Sequence, residues 1–206
     1  MEVEMKIRGL MMDPVTNMPI VVLKDARGSA ILPIWVGIYE ANAIALEIEM
    51  KIRGLMMDPV TNMPIVILKD SGSDAILPIW VGVYEANAIA LEMEKVQTPR
   101  PMTHDLMKNL LLGLSVTVKK VVVTELKEDT FYALIWLERN GSMITIDSRP
   151  SDALALALRT DAPIFVDEEV LKSSRISGAV SDKLGSEELR KWLENLGEED
   201  LGKYKM

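Results

Sequence analysis

The chain has 206 residues, 49% of them hydrophobic, with a formal net charge of −8, one histidine and no cysteine. That apolar content can bury a substantial core, which excludes overall disorder. The acid excess argues against broad attraction to a polyanion, since non-specific nucleic-acid affinity comes mainly from Lys and Arg neutralising phosphates.

Without cysteine there is no disulfide, thiolate metal site or cysteine nucleophile, and the single His104 rules out a His-pair zinc site within one chain. A metal here would be held by carboxylates, which favours magnesium or manganese. No apolar run approaches the ~18 residues of a membrane span. The start Met1-Glu2-Val3-Glu4-Met5-Lys6 is acidic and lacks the order of an export signal, so a cytoplasmic protein without membrane contact is expected.

Lys6 to Met12, a turn over Asp13-Pro14-Val15-Thr16-Asn17 and the return Ile20-Val21-Val22-Leu23 have the pattern of a β-hairpin with a longer loop. Ile31-Leu32-Pro33-Ile34-Trp35-Val36 is too short for a helix and predicts a third strand, its proline marking an edge or irregularity. Tyr39 to Ile48 places Ala41, Ile44, Ala45 and Ile48 at helical spacing. This pattern then recurs. Met5 to Glu49 matches Met50 to Glu94 at an offset of 45, differing at Val22/Ile67, Ala26/Ser71, Arg27/Gly72, Gly28/Ser73, Ser29/Asp74, Ile38/Val83 and Ile48/Met93.

Four of these differences fall in one turn and the others exchange apolar residues of similar size, as cores tolerate. Two copies before an unrelated second half do not make a solenoid. A unit of this length is near the lower limit for independent folding, so one copy must borrow a partner. The expected organisation is a duplicated strand-strand-strand-helix unit over 1–49, a main domain over 50–171 and a helical acidic tail over 172–206, with a short helix over Ser186–Leu196.

After Thr98-Pro99-Arg100-Pro101, the run Thr103 to Leu112 predicts a helix capped by Thr103 and ending at Gly113. Val116–Leu126, Thr130–Glu138 and Ser142–Asp147 predict three antiparallel strands, the last two joined by the Asn140-Gly141 turn. Pro150-Ser151-Asp152 opens an apolar helix through Arg159, and Pro163 to Val166 adds a last strand. The fold class is α+β, with a bent, largely antiparallel or mixed sheet and packed helices. Trp35, Trp80 and Trp136 fall within apolar strands and are expected in the core.

Three stretches are specific in combination and order: Leu77-Pro78-Ile79-Trp80-Val81-Gly82 with Glu85-Ala86; Pro99-Arg100-Pro101-Met102-Thr103-His104-Asp105-Leu106; and Ile146-Asp147-Ser148-Arg149-Pro150-Ser151-Asp152-Ala153. Over about residues 50–171 the chain resembles the bifunctional nuclease (BFN) domain family, and the first copy matches the opening third of that domain a second time. The resemblance implies a compact α+β fold, a homodimer and activity on DNA and RNA. The tandem first third departs from the single copy usual in the family.

Metal-assisted phosphodiester hydrolysis needs carboxylates converging on one or two hard cations. Asp147 and Asp152 bracket a strand-to-helix junction, and Glu85 sits in a first helical turn beside the end of strand 76–81. These three are the candidate metal ligands and catalytic acids for a magnesium or manganese ion, with no organic cofactor. Arg149 is the candidate bidentate phosphate clamp and Arg100 a second phosphate contact. His104, at a helix start, suits a general base or an anion contact, although it and Asp105 diverge by about 100°. Glu40 has Glu85's local setting in the first copy. The alternative is a non-catalytic dimeric binding or regulatory module, in which Asp152 complements the helix dipole and Arg149 pairs with it.

Overall fold

The computed structural model describes residues 4–37 and 47–176, apart from residues 14, 17, 26, 27, 59 and 60. The chain divides into two compact units, Met1–Leu46 and Glu47–Met206.

In the first unit, β1 (Met5–Met12), β2 (Pro19–Asp25) and β3 (Ile31–Trp35) form an antiparallel sheet in that order. Its first turn is built on Asp13, which accepts from the Val15 amide at 2.9 Å, the Thr16 hydroxyl at 2.7 Å and Trp35 Nε1 at 2.9 Å. These donors, Trp35 foremost, hold the Asp13 carboxyl far below the usual carboxylate range. β3 is an edge strand exposed along its whole length, and Trp35 is 52% exposed, so it is not the core residue its apolar run suggests. The helix expected over Tyr39–Ile48 lies mostly outside the described residues. Its last two positions, Glu47 and Ile48, open a strand instead.

That strand, β4 (Glu47–Met57), starts the second unit and is followed by β5 (Pro64–Asp70), β6 (Ile76–Trp80), α1 (Val83–Met93) and α2 (Thr103–Gly113). β7 (Thr117–Lys127), β8 (Thr130–Arg139), β9 (Ser142–Ser148), α3 (Pro150–Thr160), β10 (Ile164–Asp167) and α4 (Glu168–Ile176) complete it. The seven strands are ordered β6-β5-β4-β10-β7-β8-β9. All pairs are antiparallel except β10 with β7, so the sheet is mixed and the fold α+β.

Local chemistry explains most boundaries. Pro78 lies on an edge strand, where its missing N–H breaks no ladder. Asn140 and Gly141 both have positive φ, 51° and 76°, as a tight turn between twisted strands requires. Thr103 is the first residue of α2 and not its cap. Met102 occupies that position, and its amide donates to the Asp105 carboxylate at 2.8 Å. The second copy's turn repeats the first, with buried Asp58 accepting from the Thr61 hydroxyl and from Trp80 Nε1 at 3.0 Å.

α1 and α2 both pack on α3, α3 lies on β7 and β8, and α1 lies on β5, enclosing one apolar core. Inward side chains alternate along the strands: Val66 and Leu68, Val121 and Val123, Ala133, Ile135 and Leu137. Leu154, Ala155 and Leu156 of α3 are essentially fully buried against them.

β10 is read correctly as a strand from sequence but is central in the sheet, joining β4 to β7. α4 crosses the boundary expected at residue 171: Val170 and Leu171 are buried in the same core, and Ser174, beyond the boundary, is 3% exposed. The expected helix over Ser186–Leu196 lies outside the described residues. No helix among the described residues is long and apolar enough to cross a membrane.

Candidate functional site

Three helix starts meet through a chain of side-chain contacts. Arg149, the N-cap of α3, is 66% exposed and makes two ion pairs, Nη1 to Glu85 Oε1 at 2.9 Å and Nε to Asp152 Oδ2 at 2.8 Å. Glu85 lies in the first turn of α1 and Asp152 in the first turn of α3. The other Asp152 oxygen lies 3.0 Å from Nε2 of His104, near the start of α2. Four of the residues singled out from sequence, Glu85, Arg149, Asp152 and His104, are therefore linked.

The helices place these groups for ordinary reasons. Gly82 caps α1 with no side chain, and a Cβ there would collide with the Glu85 carboxylate, which folds back over it. Pro150 opens α3 in the first-turn position that needs no N–H and leaves Arg149 extended, at φ −68° and ψ 143°. Apolar packing of Ala153, Leu154 and Leu156 then fixes Asp152's direction.

Electrostatics reinforce the arrangement. Burial opposes ionisation of Asp152, but hydrogen bonds from Arg149 and His104 outweigh it and hold the carboxyl below its usual range. The hydrogen bond and charge of Asp152, with Glu85 behind them, keep Arg149 firmly protonated. Against an ionised Asp152, His104 Nε2 is the donor of this hydrogen bond.

Asp147 and Arg100 do not join this network. Asp147 pairs with Leu134 across β8, whereas Ala133 and Ile135 face the helices; strand alternation puts Asp147 on the opposite side of the sheet. It is exposed and has no side-chain partner among the described residues. Arg100 is exposed in the linker before α2 and makes no ion pair among the described residues. Glu40 lies outside the described residues.

The expected divalent-cation site is not supported by these donors. Both Asp152 oxygens are engaged, Glu85 is paired with Arg149, and Asp147 lies on the far face, so the three carboxylates do not converge. No group of three or more His, Asp or Glu able to hold a metal occurs among the described residues.

Arg159, not singled out from sequence, is the buried counterpart of this cluster. Its side chain is 4% exposed and donates from Nε to Asp105 at 2.6 Å, from Nη1 to the Ala155 carbonyl and from Nη2 to the Ala88 carbonyl, tying α3 to α2 and α1. Asp105 is held below its usual range, the Arg159 and Met102 hydrogen bonds outweighing burial. The available signal was a lone cation ending an otherwise apolar helix. Trp136 is buried, as expected, at 5% exposed, but on the face of β8 opposite Ala133, Ile135 and Leu137, with the Lys120 ammonium 4.9 Å from its ring.

Comparison with known proteins bears on this site. The sequence model described as "Bifunctional nuclease domain" matches residues 66–178, which include all four linked residues. An uncharacterized protein of Mycobacterium tuberculosis is 43% identical over 168 residues, covering 82% of this chain and 73% of the relative. "Bifunctional nuclease 1" of Oryza sativa subsp. indica is 30% identical over 78 residues, covering 36% of this chain and 24% of its own. "Bifunctional nuclease 2" of Arabidopsis thaliana is 28% identical over 95 residues, covering 45% of this chain and 29% of its own.

Proposed function

Because the chain belongs to the bifunctional nuclease domain family, we propose that it hydrolyses phosphodiester bonds of DNA or RNA at the junction of α1, α2 and α3. The observation that carries this reading is the placement of an exposed, always-charged guanidinium beside an imidazole–carboxylate pair. Glu85 and Asp152 take the Nη1 and Nε sides of Arg149. Nη2 and the second Nη1 hydrogen remain to receive a phosphate oxygen, where bidentate geometry gives orientation as well as charge. His104, oriented by Asp152, takes a proton from the attacking water as its oxygen bonds to phosphorus and returns one to the leaving oxygen as that P–O bond breaks. No step in this reading passes through a metal ion.

The rival reading, a binding module without cleavage, is favoured by one observation: every carboxylate of the cluster is already partnered, and His104 is only 7% exposed. One experiment separates the two. Labelled single-stranded DNA and RNA are incubated with the protein, with and without chelator, alongside Arg149→Ala, His104→Gln and Asp147→Asn. We expect cleavage that survives chelator, is unchanged in D147N and falls on the order of 100-fold or more in H104Q. Equal cleavage by all folded variants identifies a contaminant and favours the binding module. Loss in chelator together with loss in D147N restores a carboxylate-held magnesium or manganese ion.

The family resemblance also supports a homodimer, and α2 offers a surface for it. Leu106 and Leu110, one turn apart, are 53% and 57% exposed and form an apolar pair on the surface of α2. Sedimentation of Leu106→Glu/Leu110→Glu should give a monomer where the wild type gives a dimer.

A further inference from the structure

Glu47, Ile48, Glu49 and Met50 at the start of β4 pair antiparallel with Asp167, Val166, Phe165 and Ile164 of β10. Glu47 also reaches past β10 to Lys120 on β7 at 2.7 Å, with both side chains largely buried. Forty-five residues earlier the chain carries Glu2-Val3-Glu4-Met5, the same four residues except that Val replaces Ile. β1 continues from Met5 and pairs with β2 in the register that β4 uses with β5. Met5 opposes Asp25 as Met50 opposes Asp70, and the irregularity at Ile7/Gly9 recurs at Ile52/Gly54. β2 and β3 likewise repeat β5 and β6, Ile20 opposing Trp35 as Ile65 opposes Trp80. Among the described residues β1 has no strand on its other side. The features by which β10 selects β4 are thus present in a second segment of the same chain.

Residues 47–49 carry a double assignment. As the start of the second copy they are β4. As the end of the first they match Glu92-Met93-Glu94, of which Glu92 and Met93 close α1. A residue cannot be strand and helix at once, so only one copy is complete at a time. With β4 on β10, the first copy has lost the end of its helical sequence. With residues 2–5 on β10, Glu47 and Ile48 are released, and residues 50–94 become an insertion before Lys95.

We propose that β10 is a docking edge for which two segments of this chain, residues 47–50 and residues 2–5, compete, giving a second folded frame in which the first copy occupies the place of β4–β6. The differences between copies set the balance. Four of them lie in the turn between the second and third strands, away from β10. Val22 for Ile67, which is 1% exposed, removes one buried methylene and weights against the second frame by on the order of tenfold. Closing a loop of 45 residues weights against it further. The frame seen here is the major one.

The absence of native cysteine makes the test direct. Phe165 and Glu49 are cross-strand partners, so Glu49→Cys/Phe165→Cys can form a disulfide in the observed frame, and Glu4→Cys/Phe165→Cys the equivalent one in the second. In the full-length chain under mild oxidation, E49C/F165C should close within a monomer. E4C/F165C should also close within a monomer, tenfold or more slowly, and adding Ile67→Val should speed it several-fold. If E4C/F165C stays reduced, or links only between chains, while E49C/F165C closes, the exchange is overturned. A closure rate unmoved by I67V also overturns it. Closure of E49C/F165C itself shows that the fold tolerates the change at Phe165.

Discussion

Asp152 accepts from a fixed cation on one oxygen and a titratable ring on the other, and this makes it the residue through which acid acts on the site. Its carboxyl is depressed below the ordinary 3.8 in the folded protein. A depressed carboxyl contributes stability that is fully present above its unfolded value and is lost as pH falls through the folded one. Thermal unfolding followed downward from pH 7 should therefore lose stability below about pH 4, and less steeply in Asp152→Asn. Parallel acid limbs for the two proteins would show that the pairing contributes nothing. Asp105 shifts in the same direction, but its partner is the buried Arg159. Arg159→Met leaves the Asp105 carboxylate without its buried cation and removes the side-chain bonds to the Ala88 and Ala155 carbonyls, and should cost about 3 kcal/mol in urea unfolding. A loss under 1 kcal/mol would mean water replaces the guanidinium. Sequence singled out Glu85, His104, Arg149 and Asp152, which the structure links, because helix caps and first turns are set by local signals. It misassigned Asp147 to the same crevice because which face a strand residue takes depends on pairing with a distant strand, here Leu134 of β8.

α1 is joined to β6 through Gly82, which lies directly against the Glu85 carboxylate. At φ −68° any residue fits the backbone, so Gly82→Ala introduces no strain there. Its methyl would meet the flexible end of Glu85, which moves readily, and Arg149 would then be held by Asp152 alone. We expect a stability change within about 0.5 kcal/mol and cleavage reduced several-fold, read from urea midpoints and initial rates on single-stranded DNA. Unchanged rates would remove Glu85 from the working site. At this scale β7, β8 and β9 were legible, because β-branched runs and an Asn-Gly turn specify an antiparallel meander locally. β10 was legible as a strand but not as the sheet's centre, since four residues carry no mark of partners more than 40 and 110 positions away. α4 went unread because the residues that tie it to the core, Val170 and Leu171, are too few to set a helical period.

The 45-residue offset allows the whole molecule to be shortened in two ways that leave nearly the same sequence. Excising residues 5–49 joins Glu4 to Met50, so Glu2, Val3 and Glu4 stand where Glu47, Ile48 and Glu49 pair with β10. Excising residues 50–94 joins Glu49 to Lys95 and leaves the first copy to supply strands and helix. The two products differ only at the seven positions where the copies differ. Only Val22/Ile67 among these falls at a residue within 2% of complete burial, so the second product should be less stable by about 1 kcal/mol and otherwise alike. Both should unfold cooperatively. Removal of residues 1–49 is a different operation, because it takes three of the four β4 residues that pair with β10, among them Glu47, the carboxylate that reaches Lys120. It should cost at least about 2 kcal/mol more than removal of residues 1–46, which leaves β4 whole. Denaturant unfolding of the four shortened chains orders these expectations. If the 50–94 excision fails to fold while the 5–49 excision folds, the copies are not interchangeable and the first has no claim on β10.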